Sequence, residues 1–187
     1  MASNKWMAAL GVGALVGLSA MGVMPRAVAQ EKHGGNGVTK AEAQLIPTTK
    51  EESKVKGVIY FEKTEKGMHV HGEVTGLTPG EHGFHVHEFG VWNEDGTAAG
   101  GHFNPHKSEH SSHDSAKRHV GDLGNIKADD SGKAVIDIED DQLSFEGVNS
   151  ILGRGLVVHA KADDLKSQPA GNAGGRVAVA IIGVAKP

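Results

Sequence analysis

The apolar positions of the chain after about residue 40 recur in short alternating runs rather than at helical spacing. Alternation of apolar and polar side chains is typical of a strand that buries one face. The clearest runs lie at residues 55–63, 67–74, 133–139, 155–159 and 176–184. They are separated by turn sequences rich in Gly, Pro, Asn and Asp, at residues 77–80, 129–132 and 171–174. The pattern predicts an all-β domain, an antiparallel sandwich or barrel.

The first 29 residues differ from this pattern. Lys5 precedes an uncharged apolar run at residues 6–24, and residues 27–29 (AVA) have the form of a signal-peptidase cleavage site. We expect residues 1–29 to be a signal peptide, residues 30–40 a polar, Gly-rich flexible leader, and residues 41–187 the folded domain. The protein is then exported, periplasmic or secreted, with no stable membrane anchor after cleavage. A membrane anchor is the alternative, because about 19 apolar residues could just span a bilayer.

Histidine is concentrated between residues 82 and 119, where eight of the 12 histidines lie, and the chain has no cysteine. Buried imidazoles without partners are costly, so metal binding is the simplest physical reason for the cluster. Residues 83–89 alternate, so His85 and His87 should point to one face of a strand. Phe84, Val86 and Phe89 would then face a core on the other side.

Further along the chain, three imidazoles and one carboxylate form the nitrogen and oxygen set that zinc accepts: His102, His110, His119 and Asp122. A second histidine pair, His69 and His71, alternates with Met68 and Val70, which should face inward. With no third ligand evident in the sequence, we interpret this pair as solvent-exposed strand residues, and a separate metal site is the alternative.

Five ordered motifs make the chain resemble the copper/zinc superoxide dismutase family from about residue 40 to residue 187. The motifs are GFHVHEFG (83–90), AGGHFNP (99–105), RHVGDLGN (118–125), GRGLVVH (153–159) and GNAGGR (171–176). The resemblance implies an eight-stranded antiparallel Greek-key barrel with two long loops that form the metal site. The protein would be a cysteine-free, exported, bacterial-type precursor within that family.

The resemblance also implies a set of functional residues and two cofactors, one copper and one zinc per subunit. The copper ligands would be His85, His87, His102 and His159, and the zinc ligands would be His102, His110, His119 and Asp122. His102 would bridge the two metals and take up a proton during catalysis, and Arg176 would attract and orient the substrate. Asp163 would hold a copper ligand and a zinc ligand in place from behind.

The implied function is the disproportionation of superoxide to oxygen and hydrogen peroxide, with the superoxide anion as substrate. The alternative is an exported copper/zinc binding or buffering module with little turnover. The net charge of −4 and the lack of a basic patch indicate that nucleic acid is not a partner. A homodimer is left open, through an exposed apolar face that could include Ile151 and Leu152.

Two departures from the family pattern are visible in the sequence. The positions that match the family's disulfide are Gly96 and Val179, so no bridge can form. Residues 166–170 (KSQPA) look shorter than the family's charged loop near the copper, and the expected steering residues have no clear match there. These differences put electrostatic guidance of the substrate in question but leave the ligand set intact.

Overall fold

Residues 37–186 are described by the structure, a computed structural model, and within this range the chain is built from strands and loops. The strands are β1 (Lys40–Pro47), β2 (Lys56–Thr64), β3 (Gly67–Thr75), β4 (Gly80–His87), β5 (Asp122–Ala128), β6 (Ala134–Asp140), β7 (Gly155–His159), β8 (Arg176–Ile181) and the two-residue β9 (Gly183–Val184). The predicted signal peptide, residues 1–29, and most of the predicted leader lie outside the described residues.

Eight strands form one antiparallel sheet in the order β5-β4-β7-β8-β1-β2-β3-β6, and β9 pairs with β1. The two end strands, β5 and β6, lie against each other, so the sheet curls into a nearly closed barrel. This confirms the predicted eight-stranded antiparallel fold. The helical elements of residues 37–186 are two 3₁₀ turns, at Thr97–Ala99 and Gly147–Asn149. None of the helices in this range is long and apolar enough to cross a membrane.

The strand predictions agree with the structure except at four places, one of which is β5, where the sequence analysis predicts no strand. The run at 176–184 is interrupted at Ile182, and β8 and β9 therefore pair with different parts of β1. The strand that carries the first histidine pair ends at His87, and Phe89 is 55% exposed. The expectation that Phe89 faces the core is therefore wrong. β1 was not singled out, because its inward positions include the alanines Ala41 and Ala43, which give a weak hydrophobic signal.

The barrel interior is filled by large apolar side chains that alternate with outward-facing residues. The largest fully buried ones are Phe61, Phe84, Ile59, Met68, Ile151, Leu156 and Ile182. Burial of each such side chain contributes roughly 1.5–3 kcal/mol relative to exposure to water. A smaller apolar cluster of Ala99, Val157 and Val179 lies outside the main core, where the loop after β4 packs on β7 and β8.

Both faces of β4 are buried, and this positions the functional site. Phe84 and Val86 point into the barrel, whereas His85 and His87 point outward and are still 0% and 1% exposed. The cover comes from the two long connections, residues 88–121 and residues 160–175. The histidines therefore lie between the barrel wall and two loops.

Candidate metal centre

A first group of histidines comes together on the outer wall of the barrel. His85 and His87 come from β4, His159 ends β7, and His102 lies in the loop after β4. All four are buried, and one ring nitrogen from each lies within 4.8 Å of the others. The isolated bridge between His87 and His102 brings the loop histidine back against the strand.

Hydrogen bonds to the opposite ring nitrogen orient three of these imidazoles. Nε2 of His85 donates to Asp163 Oδ2 at 2.7 Å, and Nδ1 of His87 donates to the Gly100 carbonyl at 3.0 Å. Nδ1 of His159 lies 3.3 Å from the Gly174 carbonyl. The remaining nitrogens face the centre of the group, and Nε2 of His87 and Nε2 of His159 are 3.3 Å apart. Such contacts fix the orientation of a metal-binding imidazole and determine which of its two ring nitrogens faces the metal.

A second group forms around the carboxylate of Asp122, the first residue of β5. The Nδ1 atoms of His102, His110 and His119 lie 2.7, 3.0 and 3.2 Å from the same oxygen, Asp122 Oδ1. Backbone N–H groups of Ser111 and His119 donate to the other oxygen. Three ring nitrogens that converge on one carboxylate oxygen match the nitrogen and oxygen donors of a tetrahedral zinc site.

His102 and Asp163 belong to both groups. His102 directs Nδ1 towards Asp122, while its Nε2 faces the first group. Asp163 accepts from His85 through Oδ2 and from Nε2 of His110 through Oδ1, at 2.7 and 3.0 Å. One ring and one carboxylate thus connect the two groups from opposite sides.

The residues present fit bound metal ions. His85 Nδ1 and His102 Nε2 are buried without a hydrogen-bond partner, which is costly unless a ligand satisfies them. Burial lowers the pKa of His85 to about 4 and lowers the pKa of His87 and of His159 well below the ordinary value. These rings are therefore neutral at pH 7, which is the form that binds metals.

The second group has different electrostatics, because it contains the carboxylates. Burial acts to lower the pKa of His110, but its hydrogen bonds with Asp122 and Asp163 outweigh burial and raise the pKa to about 9. Burial acts to raise the pKa of Asp122, and the hydrogen bonds from three histidines overcome this and lower it. Asp122 is therefore ionised in a buried place, where its charge is balanced by His110 in the metal-free protein and would be balanced by a bound cation.

Arg176 lies beside the first group, at the wall of a cavity of about 240 Å³ that His87, His102 and His159 also line. Its guanidinium donates to the carbonyls of Gly96 and Gly100, at 2.5 and 2.6 Å. These bonds attach the start of β8 to the loop that carries His102. The cavity leaves room for a small anion between the histidines and the arginine.

Comparisons with known proteins agree with this geometry. The profile of the copper/zinc superoxide dismutase family (SODC) matches residues 55–182. The chain belongs to the copper/zinc superoxide dismutase family. It is therefore an oxidoreductase of the superoxide dismutase class, and copper and zinc are its cofactors. The two histidine groups could hold these ions.

Individual relatives show the extent of the similarity. The extracellular superoxide dismutase (Cu-Zn) of Brugia pahangi is 42% identical over 156 residues, which cover 79% of this chain and 78% of that protein. The extracellular enzyme of Caenorhabditis elegans is 43% identical over 152 residues, covering 78% of this chain and 66% of that protein. The crystal structure of the clock protein EA4 superposes with a TM-score of 0.74 at 43% identity and covers 82% of this chain and 99% of that one.

Within this family, the chain lacks the disulfide expected between the loop and the last long strand. The two matching positions are nevertheless adjacent, because a Cβ built on Gly96 would lie 3.0 Å from Cγ2 of Val179. The loop is held there by polar contacts instead. Asp95 accepts from Asn93 Nδ2, from the Thr97 N–H and from the Thr97 hydroxyl, at 2.8, 3.0 and 2.6 Å.

The sequence interpretation gave no role to Asn125 or Gln168, and the structure assigns both a positioning role. Asn125 holds the backbone of Asp163, accepting from its N–H at 2.7 Å and donating to its carbonyl at 2.9 Å. Gln168 makes the same two-way contact with the backbone of His110, at 2.8 and 2.9 Å. Asn125 is the last residue of the RHVGDLGN motif, so the sequence did contain a signal that pointed to it. Gln168 lies in the short loop at 166–170, where nothing local indicates its partner.

The other histidines fall outside the two groups. His82 bonds to the backbone carbonyls of His159 and Thr78, each at 2.8 Å, and so has a structural role. His69 and His71 do lie on the outer face opposite the buried Met68 and Val70, as predicted. The expectation that they lack a third donor is wrong, because Glu62 lies beside them.

Proposed function

We propose that this protein disproportionates superoxide at a copper ion and a zinc ion that share the ring of His102. Copper would be held by His85, His87, His102 and His159, and zinc by His102, His110, His119 and Asp122. The observation that supports a shared ring is the placement of its two nitrogens. Nδ1 lies in the carboxylate-containing group, and the partnerless Nε2 lies in the all-histidine group.

Bound copper would supply one-electron redox chemistry, and bound zinc would hold the shared ring and tune its basicity. His102 Nε2 is the ring atom that can hold a proton beside the cavity and pass it to the product. Asp163 keeps His85 and His110 in fixed orientations through two hydrogen bonds. Arg176 places a fixed positive charge on the cavity wall, where it would attract and orient the superoxide anion.

Electrostatic guidance of superoxide to the cavity would depend on very few cationic side chains. Arg176 is half-buried, and burial lowers its pKa while Asp95 opposes that change. Lys161 and Lys166 are both exposed and both absent from the cavity wall, but Lys161 runs alongside Gly174, a residue that lines the cavity. We infer that Arg176 and Lys161, rather than Lys166, steer the substrate.

The decisive experiment is superoxide decay by residues 30–187 loaded with one copper and one zinc, measured at low and high salt. We expect fast decay that slows as salt screens the cavity charges. Arg176→Leu should slow the reaction and weaken its dependence on salt, and Arg176→Lys should retain part of both. Lys161→Gln should reduce the salt dependence, with Lys166→Gln as the matched control. Metal binding with negligible decay would favour the buffering module instead.

We also propose that residues 1–29 direct export and are removed, so that the enzyme acts in the periplasm or outside the cell. The names of the nematode relatives, which include the word extracellular, support export. N-terminal sequencing of the protein recovered from the producing cells and from their medium tests this. A mature protein that still begins at Met1 would contradict it.

A homodimer is proposed through an apolar face outside the barrel. Phe89, Val91 and Ile181 are each about half exposed, and a Cβ built on Gly90 would touch Ile181 Cγ2, so the loop and β8 form one surface. Ile151 was expected on such a face and is instead fully buried in the core. Sedimentation analysis should show a dimer that Ile181→Glu dissociates, and a monomeric wild-type protein would overturn the proposal.

A further inference from the structure

A third group of side chains that could hold a metal ion lies on the outer face of β2 and β3. Glu62, His69 and His71 each present one donor atom, and these atoms lie within 4.8 Å of one another. The strands β2 and β3 are far along the sheet from β4 and β7, which carry the first histidine group. The third group shares no residue with the other two.

We propose that this group binds a third transition-metal ion, zinc or copper(II), at a surface site with two imidazole ligands and one carboxylate. Imidazole nitrogen selects for metals of this class over magnesium or calcium. Three protein ligands leave a coordination position for water. The site is separate from the proposed catalytic pair and does not depend on it.

The strand register places the three ligands without any help from a loop. Glu62 on β2 pairs directly with His69 on β3, and His71 lies two residues further along the same face. Met68 and Val70 are 1% and 0% exposed, which prevents β3 from turning the histidines inward. Sites built on paired strands are held more rigidly than sites on loops.

Neighbouring side chains also orient the two histidines. The rings of His69 and His71 stack with centroids 4.6 Å apart, and Tyr60 stacks on His71 at 5.4 Å. Asp137 on β6 bonds to Nε2 of His69 at 2.7 Å. A carboxylate behind a histidine is the usual support of a metal ligand, because it fixes the ring and increases its basicity.

Lys40 is the feature that opposes metal binding. Its Nζ lies 2.9 Å from Glu62 Oε1, and this hydrogen bond lowers the pKa of Glu62. Glu62 is therefore ionised at neutral pH, but it is shared with a competing cation. A single charge about 5 Å from a divalent ion in water weakens binding roughly tenfold. Removal of Lys40 should therefore tighten the site.

The test uses residues 30–187 already loaded with one copper and one zinc, titrated calorimetrically with zinc chloride. We expect one further zinc per chain. His69→Gln/His71→Gln should abolish it, and Lys40→Gln should tighten it roughly tenfold. His106→Gln is the matched control, because His106 is an exposed loop histidine outside the three groups. His33→Gln controls for a contribution from the leader.

An independent readout is the NMR spectrum of Tyr60, the one tyrosine of the chain, whose ring lies against His71. Its resonances should shift as zinc binds the loaded protein and should not shift in the His69→Gln/His71→Gln variant. Absence of the further zinc, or a further zinc that still binds to that variant, would overturn the proposal. An affinity unchanged by Lys40→Gln would remove Glu62 from the ligand set.

Discussion

Introducing a disulfide between positions 96 and 179 tests how closely the loop is held against β8. A Cβ at residue 96 would lie 3.0 Å from Cγ2 of Val179. That is about the separation between a Cβ and the far sulfur of a disulfide, given an S–S bond of about 2.05 Å. The Gly96→Cys/Val179→Cys variant should therefore form the bridge once Arg176, whose Cβ would lie 2.9 Å from the new Cβ, has shifted.

The size of the effect follows from three contributions. Closing a loop of roughly 80 residues should stabilise the folded protein by about 4.5 kcal/mol. Against this, Gly96 has φ of 73°, where any other residue costs about 1–2 kcal/mol. Val179 is fully buried, and loss of a methyl group there costs about 1 kcal/mol. The oxidised variant should be about 2 kcal/mol more stable than the native chain, and less stable than the native chain when reduced.

The assay is guanidinium chloride unfolding of the metal-free residues 30–187, with and without reductant, together with titration of free thiols. Gly96→Ala, which has the same backbone strain and no sulfur, is the control. Thiols that stay free under oxidising conditions, or a midpoint that does not rise on oxidation, would show that the loop is not held beside β8. The hydrogen bonds from Arg176 to Gly96 and Gly100 would then need another explanation.

Three further predictions concern the metal centre. Asp163→Asn should weaken zinc binding about 10–100-fold in chelator competition, because an amide cannot accept from both His85 and His110; unchanged affinity would refute this. Gly171→Ala should weaken zinc binding similarly, since its Cβ would collide with Asp163 Oδ1. Gly174→Ala is the control: Gly174 also has a positive φ, but the new Cβ would meet the flexible side chain of Lys161, and zinc should bind normally. In the metal-free protein, urea unfolding should show maximal stability near pH 6.5. Because the pKa of His85 is lowered to about 4 in the folded protein, stability falls as the pH drops below 6.5. Because the pKa of His110 is raised to about 9, stability also falls as the pH rises from 6.5 towards 9. A stability that stays constant from pH 4 to 9 would contradict both.

Much of the candidate site could be predicted from the sequence, because the ligand types occur at informative local spacings. His85 and His87 are two residues apart on a strand, so alternation alone puts them on one face. The motif RHVGDLGN places His119 and Asp122 within one tight turn. Most of the strands that line the core were predicted for the same reason, since their inward residues are large and apolar.

Local spacing also misled the interpretation in specific cases. Phe89 was assigned to the core face with Phe84 and Val86, although strict alternation puts residue 89 on the face of His85 and His87. The strand also ends at His87, and the chain then turns to pair with Ala99 and Gly101. Glu62 was not linked to His69 and His71, because its place beside them depends on the register of β2 against β3. Ile151 looked like surface and is buried, because the barrel folds over it.

The sequence by itself determined the chemistry of the side chains, the alternation of the strands and the absence of a disulfide. Only the tertiary structure decided which ring nitrogen each histidine presents, how His102 and Asp163 connect two groups, and where Arg176 anchors the loop. The physical reason is that these features depend on hydrogen bonds between residues far apart in the chain. Such bonds form only when the barrel brings its strands and loops together, and no local pattern records them.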